Sequence, residues 1–248
     1  MSGFDWLTAR PIAHRGLHDA QRGIIENSAT AFAAAISGGY GIETDLQISA
    51  DGEAMVHHDD ALGRLTEGHA RLGELSAAQL KRVSFKKTDD HMLTLGELCD
   101  LVAGRATLLL ELKSHFDDDI RLVTRTADVL SSYPGPVAVM SFDPYLVERA
   151  RDARHVLARG IVAQRHYSES EWPVMSPSKR LSMGWMLHVL RSHPQFIAYS
   201  VRDLPAAPPL FLRMFWRLPL LAWTVRNSED RNRAARWADQ VIFEGWRP

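Results

Sequence analysis

The sequence predicts an α/β fold, and within that class a closed (β/α)8 barrel. Eight short apolar runs recur along the chain, helical patterns separate most of them, and 248 residues is the size of one eight-unit barrel. A doubly wound open sheet is the alternative fold. Its dinucleotide-binding version has no support, because no Gly-x-Gly-x-x-Gly motif follows a predicted strand. We therefore expect a single domain over residues 1–248.

The predicted strands and helices alternate along the chain. The strands are the apolar runs at residues 11–15, 41–47, 106–113, 136–142, 155–163, 195–201, 218–225 and 239–245. The helices are expected at residues 27–39, 76–83, 94–104, 117–133 and 228–239. The first of these helices ends in two glycines, while the next two open with a capping box. Residues 46–105 are too long for one strand-to-helix connection, so we expect this stretch to contain elements of its own.

Composition excludes several classes of protein. A formal net charge of −1 argues against a nucleic-acid binder, which usually has a basic surface. Cys99 is the single cysteine, so no intramolecular disulfide can form, and its place in a helical pattern favours a core position. The N-terminus lacks a signal-peptide pattern, and Arg213, Arg217 and Pro219 interrupt the most apolar region. We therefore predict a cytoplasmic protein without a transmembrane segment.

Polar residues lie where the predicted strands end, which is where barrel enzymes carry their active sites. They are His14, Arg15, Glu43, Asp45, Glu111, Lys113, Ser141, Thr224 and Glu244. Residues two apart on a strand face the same way, so the three carboxylates of strands two and three would point into one barrel mouth. A divalent cation that prefers oxygen ligands, Mg²⁺ or Ca²⁺, would compensate their charge. The alternative is a solvated rim of carboxylates paired with arginine and lysine.

Two histidines are candidates for acid–base chemistry near neutral pH, His14 and His58. His58 belongs to the run "MVHHDD", in which extended residues alternate in direction. At most one of His57 and His58 can therefore face a site. Trp223 and Tyr199, on the predicted strands seven and six, are candidate pocket residues together with Glu244.

Taken together, these motifs resemble the glycerophosphodiester phosphodiesterase family. The similar segments are "IAHRG", "IENSATAF", "GIETDLQISADGEAMVHHDDALGRLTEG", "LLLELK" and "LAWTV". The likeness is dense over residues 12–113 and sparse afterwards. Its His-Asp-x-x-Leu-x-Arg pattern matches a register that begins at His58, because a start at His57 would require leucine at Ala61 and arginine at Gly63.

The resemblance implies a TIM barrel with a small insertion after strand two. It implies one divalent metal ion, Mg²⁺ or Ca²⁺, bound by Glu43, Asp45 and Glu111. It also implies that His14 and His58 are catalytic, and that Arg15 and Lys113 hold the substrate phosphate. The chain departs from the family pattern at Arg64-Leu65-Thr66, at Phe243-Glu244, where Thr-Asp is usual, and at Arg226, where Asn is common.

The implied reaction is hydrolysis of a small glycerophosphodiester to glycerol 3-phosphate and an alcohol, within lipid and glycerol metabolism. The nucleophile is water or the glycerol hydroxyl of the substrate, and either histidine is the initial base. One alternative is a lysophospholipase D, which would contact a membrane surface through the apolar, arginine-containing segment 208–221. A non-catalytic barrel ranks lower, because no histidine or carboxylate of the pattern is missing.

Overall fold

Eight parallel strands close into a barrel in the computed structural model of the chain, which describes residues 4–153 and 158–248. The described strands are β1 (Ile12–Ala13), β2 (Gly41–Ile48), β3 (Ala54–Val56), β4 (Leu108–Leu112), β5 (Val137–Ser141), β6 (Ala158–Ala163), β7 (Phe196–Ser200), β8 (Leu220–Val225) and β9 (Gln240–Phe243). β1 pairs in parallel with both β2 and β9, which closes the barrel. β3 lies outside the closed ring, antiparallel to β2. The predicted (β/α)8 barrel is therefore confirmed.

Helices separate successive barrel strands. They are α1 (Asp5–Thr8), α2 (Ala29–Ser37), α3 (Ala77–Leu80), α4 (Leu95–Val102), α5 (Arg121–Leu130), α6 (Pro144–Ala153), α7 (Pro177–Gly184), α8 (Val189–Ser192), α9 (Ala207–Phe215) and α10 (Ser228–Trp237). Both predicted capping boxes form, at the start of α3 and of α4. Of the predicted strand 155–163, residues 155–157 lie outside the described part of the chain. No described helix combines the length and the apolar character needed to cross a bilayer.

Alternation along each strand divides the core into two layers. One set of side chains fills the barrel interior, and Leu7 of α1 packs with it. The other set, which includes Ile42 and Leu46 of β2, packs against the surrounding helices. Because these two residues face the helices, Glu43 and Asp45 between them face the interior. The barrel geometry thus directs both carboxylates inward.

The insertion after β2 has a small core of its own. Its buried side chains include Met55, Leu62, Leu72, Leu80 and Phe85. β3 runs back along β2, with Leu46 opposite Val56, so residues 57–64 return to the carboxyl end of the barrel strands. The insertion therefore supplies residues to the barrel mouth.

Gly160 tests how tightly the interior is packed. It lies between Ala158 and Val162, which both face the interior, and a Cβ atom there would stand 2.2 Å from the ring of Phe196. Gly160→Ala should therefore lower the free energy of unfolding by about 1–3 kcal/mol. Gly96→Ala in α4 is the matched control, because its Cβ would meet only ordinary contacts and should stabilise the helix. Urea unfolding that gave both variants the same sign would contradict this packing.

Candidate active site

A buried carboxylate cluster lies at the carboxyl end of the barrel strands. One oxygen from each of Glu43, Asp45 and Glu111 lies within 4.8 Å of the others, and all three residues are buried. The register of β2 and β4 produces this cluster, since Asp45 and Glu111 are partners across the ladder. Burial, followed by the negative charges of Asp45 and Glu111, raises the pKa of Glu43 well above its usual value. The cluster is not the solvated rim of the alternative interpretation.

Two basic side chains partly compensate the cluster. Lys113 Nζ lies 2.8 Å from an oxygen of Asp45 and 2.6 Å from an oxygen of Glu111. Arg15 Nε lies 3.3 Å from the other oxygen of Asp45. Burial acts to raise the pKa of Asp45, but the charges of Lys113 and Arg15 outweigh it and hold that pKa far below its usual range. Asp45 is therefore the best compensated carboxylate of the cluster, and Glu43 is the least compensated.

Glu26 and Asn27 belong to the same network, although the sequence alone predicts no chemical role for either residue. The Asn27 amide donates to Asp45 at 2.9 Å and accepts from the Thr44 hydroxyl at 2.7 Å. Glu26 accepts from Arg15 at 2.6 Å, and it also accepts from Arg64. Both residues lie in the "IENSATAF" segment. This motif could have indicated their role, but from the sequence it predicts only the start of a helix.

His14 is held by a charged partner from the last strand of the barrel. Its Nδ1 lies 2.8 Å from Glu244, and its Nε2 lies 3.9 Å from Glu43. Arg226 donates to the same Glu244 oxygen at 2.8 Å. Burial lowers the pKa of His14, and the hydrogen bond with Glu244 opposes that effect. Two departures from the family pattern, at 226 and 244, are thus partners in one ion pair behind the histidine.

His58 is held in a similar way by its neighbour in sequence. Its Nδ1 lies 2.8 Å from Asp59, and Asp59 in turn accepts from Arg64 Nε at 2.6 Å. The Gln47 side chain of β2 donates to the backbone carbonyl of His58 at 2.9 Å, which holds this residue beside the strand that carries Asp45. His57 differs, because its side chain is 2% exposed and burial lowers its pKa. The two histidines therefore occupy distinct environments.

The two aromatic candidates for the pocket lie in different layers. Trp223 packs with the barrel interior and contacts Phe142 edge-to-face at 5.5 Å between ring centroids. Phe142 continues this contact to Trp172, which also packs against Phe116. Tyr199, in contrast, is fully buried in the layer between strands and helices. Tyr199 thus lies in a different layer from Glu43, Asp45 and Glu111, because its neighbour Ala198 takes the inward position.

Glu244 should act as a positioning residue for His14. Glu244→Gln should lower kcat for the diester hydrolysis that the resemblance implies by at least about tenfold with little change in KM, since a charged hydrogen bond to the ring is lost. Glu244→Asp, which keeps the charge, should recover part of the loss. Steady-state kinetics of both variants, with Glu229→Gln on the exposed side of α10 as control, separates positioning from a general loss of stability. A fall in kcat that Glu229→Gln shares, or a change confined to KM, would contradict the assignment.

The chain is similar in sequence to known proteins of one family. The model of the "Glycerophosphoryl diester phosphodiesterase family" matches residues 14–245. A glycerophosphodiester phosphodiesterase of Caldanaerobacter subterraneus subsp. tengcongensis is 31% identical over 239 residues, which cover 90% of this chain and 88% of that protein. Glycerophosphodiester phosphodiesterase 1 of Rattus norvegicus is 32% identical over 117 residues, 43% of this chain, and the match spans only 34% of the rat protein.

Solved structures share the fold along nearly the whole chain. The crystal structure of a Silicibacter pomeroyi DSS-3 protein has a TM-score of 0.78 at 24% identity, covering 96% of this chain and 90% of that one. A phosphodiesterase of Oleispira antarctica, solved in complex with its product sn-glycerol-3-phosphate, has a TM-score of 0.79 at 19% identity, covering 97% and 95%. The family match over residues 14–245 shows that this chain belongs to the glycerophosphoryl diester phosphodiesterase family of phosphoric diester hydrolases.

Proposed function

We propose that this chain hydrolyses glycerophosphodiesters to sn-glycerol 3-phosphate and an alcohol, with one divalent metal ion and two histidines. The observation that carries the proposal is the buried cluster of Glu43, Asp45 and Glu111 beside two histidines, each with Nδ1 bound to a carboxylate. The product bound by the Oleispira antarctica protein supports a small glycerophosphodiester as substrate.

The carboxylate cluster suits a hard divalent cation such as Mg²⁺ or Ca²⁺. Its donors are all oxygens, and three of them lie within 4.8 Å of one another. Arg15 and Lys113 pair with Asp45, whereas neither side chain forms an ion pair with Glu43 among the described residues, which leaves room for a further positive charge at Glu43. Glu43, Asp45 and Glu111 would hold the ion, which would supply positive charge to the non-bridging oxygens of the phosphate.

Arg15 and Lys113 would bind the substrate phosphate directly. Both lie against Asp45, and both keep part of their side chains accessible at the mouth. Charge-assisted hydrogen bonds from a guanidinium and an ammonium group are well suited to phosphate oxygens. Because Asp45 raises the pKa of both groups against the effect of burial, they stay charged throughout the neutral pH range. They would orient the diester and stabilise charge that develops during the reaction.

His14 and His58 would exchange the two protons that the reaction requires. A ring whose Nδ1–H donates to a carboxylate leaves Nε2 as the proton-exchanging atom, and both rings have this arrangement. One histidine would take the proton of the nucleophile, and the other would protonate the leaving alcohol. Trapping of a cyclic glycerol phosphate would identify the substrate hydroxyl as the nucleophile, whereas its absence under rapid quench would identify water.

The test is a direct assay of glycerophosphocholine and glycerophosphoethanolamine with added Mg²⁺ or Ca²⁺. We expect release of sn-glycerol 3-phosphate, loss of activity with a chelator, and recovery when the ion is restored. Activity that persists after complete metal removal would contradict the metal-dependent route. Release of phosphocholine in place of choline would contradict the proposed bond cleavage.

A lysophospholipase D remains the second candidate function. The apolar surface of Phe116, Phe142, Trp172 and Trp223, on the interior and the loops above it, favours a substrate with an apolar group. Comparison of kcat/KM for lysophosphatidylcholine and glycerophosphocholine decides between the two substrate classes. Trp172→Ala should reduce the activity on the lysolipid selectively if these rings contact the acyl chain.

Cytoplasmic location and a role in lipid and glycerol metabolism remain predictions from the sequence.

A further inference from the structure

The exposed apolar side chains of this protein are confined to one part of its surface. Within residues 4–153 and 158–248, every large hydrophobic residue that is exposed lies between positions 174 and 216. They are Val174, Leu181, Trp185, Leu187, Leu190, Phe211, Met214, Phe215 and Trp216. Patches of this kind on soluble domains mark interaction sites. We call this surface, formed by α7, α8 and α9, the apolar face.

The parts of the apolar face are neighbours around the barrel. β6, β7 and β8 are adjacent strands, and α7, α8 and α9 lie in the connections between them. A cavity of about 370 Å³ lies between the α7 region and the start of α9. Leu181 and Trp185 line one side of it, and Ala207 and Pro208 line the other. The exposed side chains therefore belong to one surface.

A larger groove extends this surface beyond α9. It has a volume of about 900 Å³ and lies between α9 and α10, where Phe211, Met214 and Leu218 contribute apolar walls. Arg213, Arg217 and Arg236 also line it together with one acidic residue, Asp239, which pairs with Arg213 and leaves the other two arginines exposed. An apolar groove with guanidinium groups beside it is suited to an amphipathic, negatively charged partner.

The charge of the apolar face is opposite in sign to that of the whole chain. Residues 174–217 contain six basic residues and one acidic residue, whereas the formal net charge of the protein is −1. Arg180, Arg191 and Arg213 form ion pairs with acidic residues outside this segment. Lys179, Arg202 and Arg217 have no acidic partner in the described part of the chain. A second copy of the same positive surface would be repelled.

We propose that the apolar face docks on the surface of an anionic phospholipid membrane. Exposed aromatic and aliphatic side chains would enter the interface between headgroups and acyl chains, and the basic residues would contact the anionic headgroups. The α9 part of the face borders the groove between α9 and α10, whereas the carboxylates and histidines lie at the carboxyl end of the barrel. α7 packs through Met183 against Phe142 and Trp172, so the docking test uses substitutions in and directly after α9 alone. The proposal broadens the contact expected from segment 208–221 to include α7 and α8.

The test is flotation of the full chain with two kinds of vesicle. One contains phosphatidylcholine alone, and the other contains equal parts of phosphatidylcholine and phosphatidylglycerol. We expect binding to the anionic vesicles, weakened by added salt, and little binding to the neutral ones. The double substitution Phe211→Ser with Phe215→Ser should weaken apparent affinity by at least about tenfold, because two aromatic side chains no longer enter the interface. Arg217→Glu should weaken it by about fivefold or more.

Arg82→Glu is the matched charge control, since Arg82 is exposed on the insertion and lies outside the apolar face. It should leave vesicle binding unchanged. All these variants should hydrolyse a water-soluble diester like the wild type, so failure of docking is distinguished from failure of the proposed function. Equal binding to both vesicle types, or undiminished binding of the double variant, would overturn the proposal. So would a stable dimer that the double substitution dissociates, because that result assigns the face to self-association.

Discussion

Replacing His58 by glutamine should lower kcat for glycerophosphodiester hydrolysis by about 10²- to 10⁴-fold, the usual contribution of a positioned acid or base. The physical reason is that His58 presents Nε2 with its Nδ1 fixed by Asp59, 2.8 Å away. Glutamine keeps a polar group of similar size but cannot exchange a proton near neutral pH. Steady-state kinetics at saturating metal and substrate measure the effect. His14→Gln should cause a loss of the same order.

His57 provides the matched control within the same dipeptide. Its backbone N–H donates to the Asp45 carbonyl at 3.1 Å, a bond that no side-chain substitution removes. The His57 side chain is buried, and burial lowers its pKa, so the ring is neutral and serves packing. His57→Gln should therefore lower the melting temperature while kcat changes little. Equal losses of kcat at both positions would mean that the catalytic register begins one residue earlier.

The sequence was sufficient for the barrel because the strand signals were strong. Strands that are buried on both sides appear as continuous apolar runs, and segments such as 106–113 and 136–142 have this form. The capping boxes at Ser76 and Thr94 were also readable, since they depend on residues only three apart. Local patterns of this kind determine where elements begin.

Because these strands are buried on both sides, the sequence does not reveal which of their side chains point into the barrel. In a run such as "QFIAYSV" both faces are apolar, so alternation does not reveal whether Ala198 or Tyr199 points inward. The bond between His14 and Glu244 joins residues 230 positions apart and exists only because β1 pairs with β9. Asn27 reaches Asp45 from a backbone with φ of 55°, a conformation that sequence pattern does not predict for asparagine in a helix start.

Removing any one carboxylate of the cluster should abolish metal binding. Removing Glu43 and removing Asp45 should also shift the stability of the metal-free protein, in opposite directions. In Glu43→Gln the unfolding free energy without metal should rise, because the substitution removes the cost of protonating this buried carboxyl group or of keeping it charged beside Asp45 and Glu111. In Asp45→Asn it should fall, because Lys113 and Arg15 then lose the carboxylate that compensates them. Urea unfolding at neutral pH in the presence of a chelator measures both shifts.

The loss of metal binding can be measured by melting temperature and calorimetry, without any assay of activity. Mg²⁺ or Ca²⁺ should raise the melting temperature of the wild type, since a ligand bound only by the folded state stabilises it. Glu43→Gln, Asp45→Asn and Glu111→Gln should each lose that rise, and calorimetric titration should show the matching loss of affinity. Glu67→Gln, an exposed carboxylate on the insertion, should retain it. A metal-induced rise that survives in Glu43→Gln would place the ion elsewhere, because Glu43 is the carboxylate that the neighbouring basic side chains compensate least.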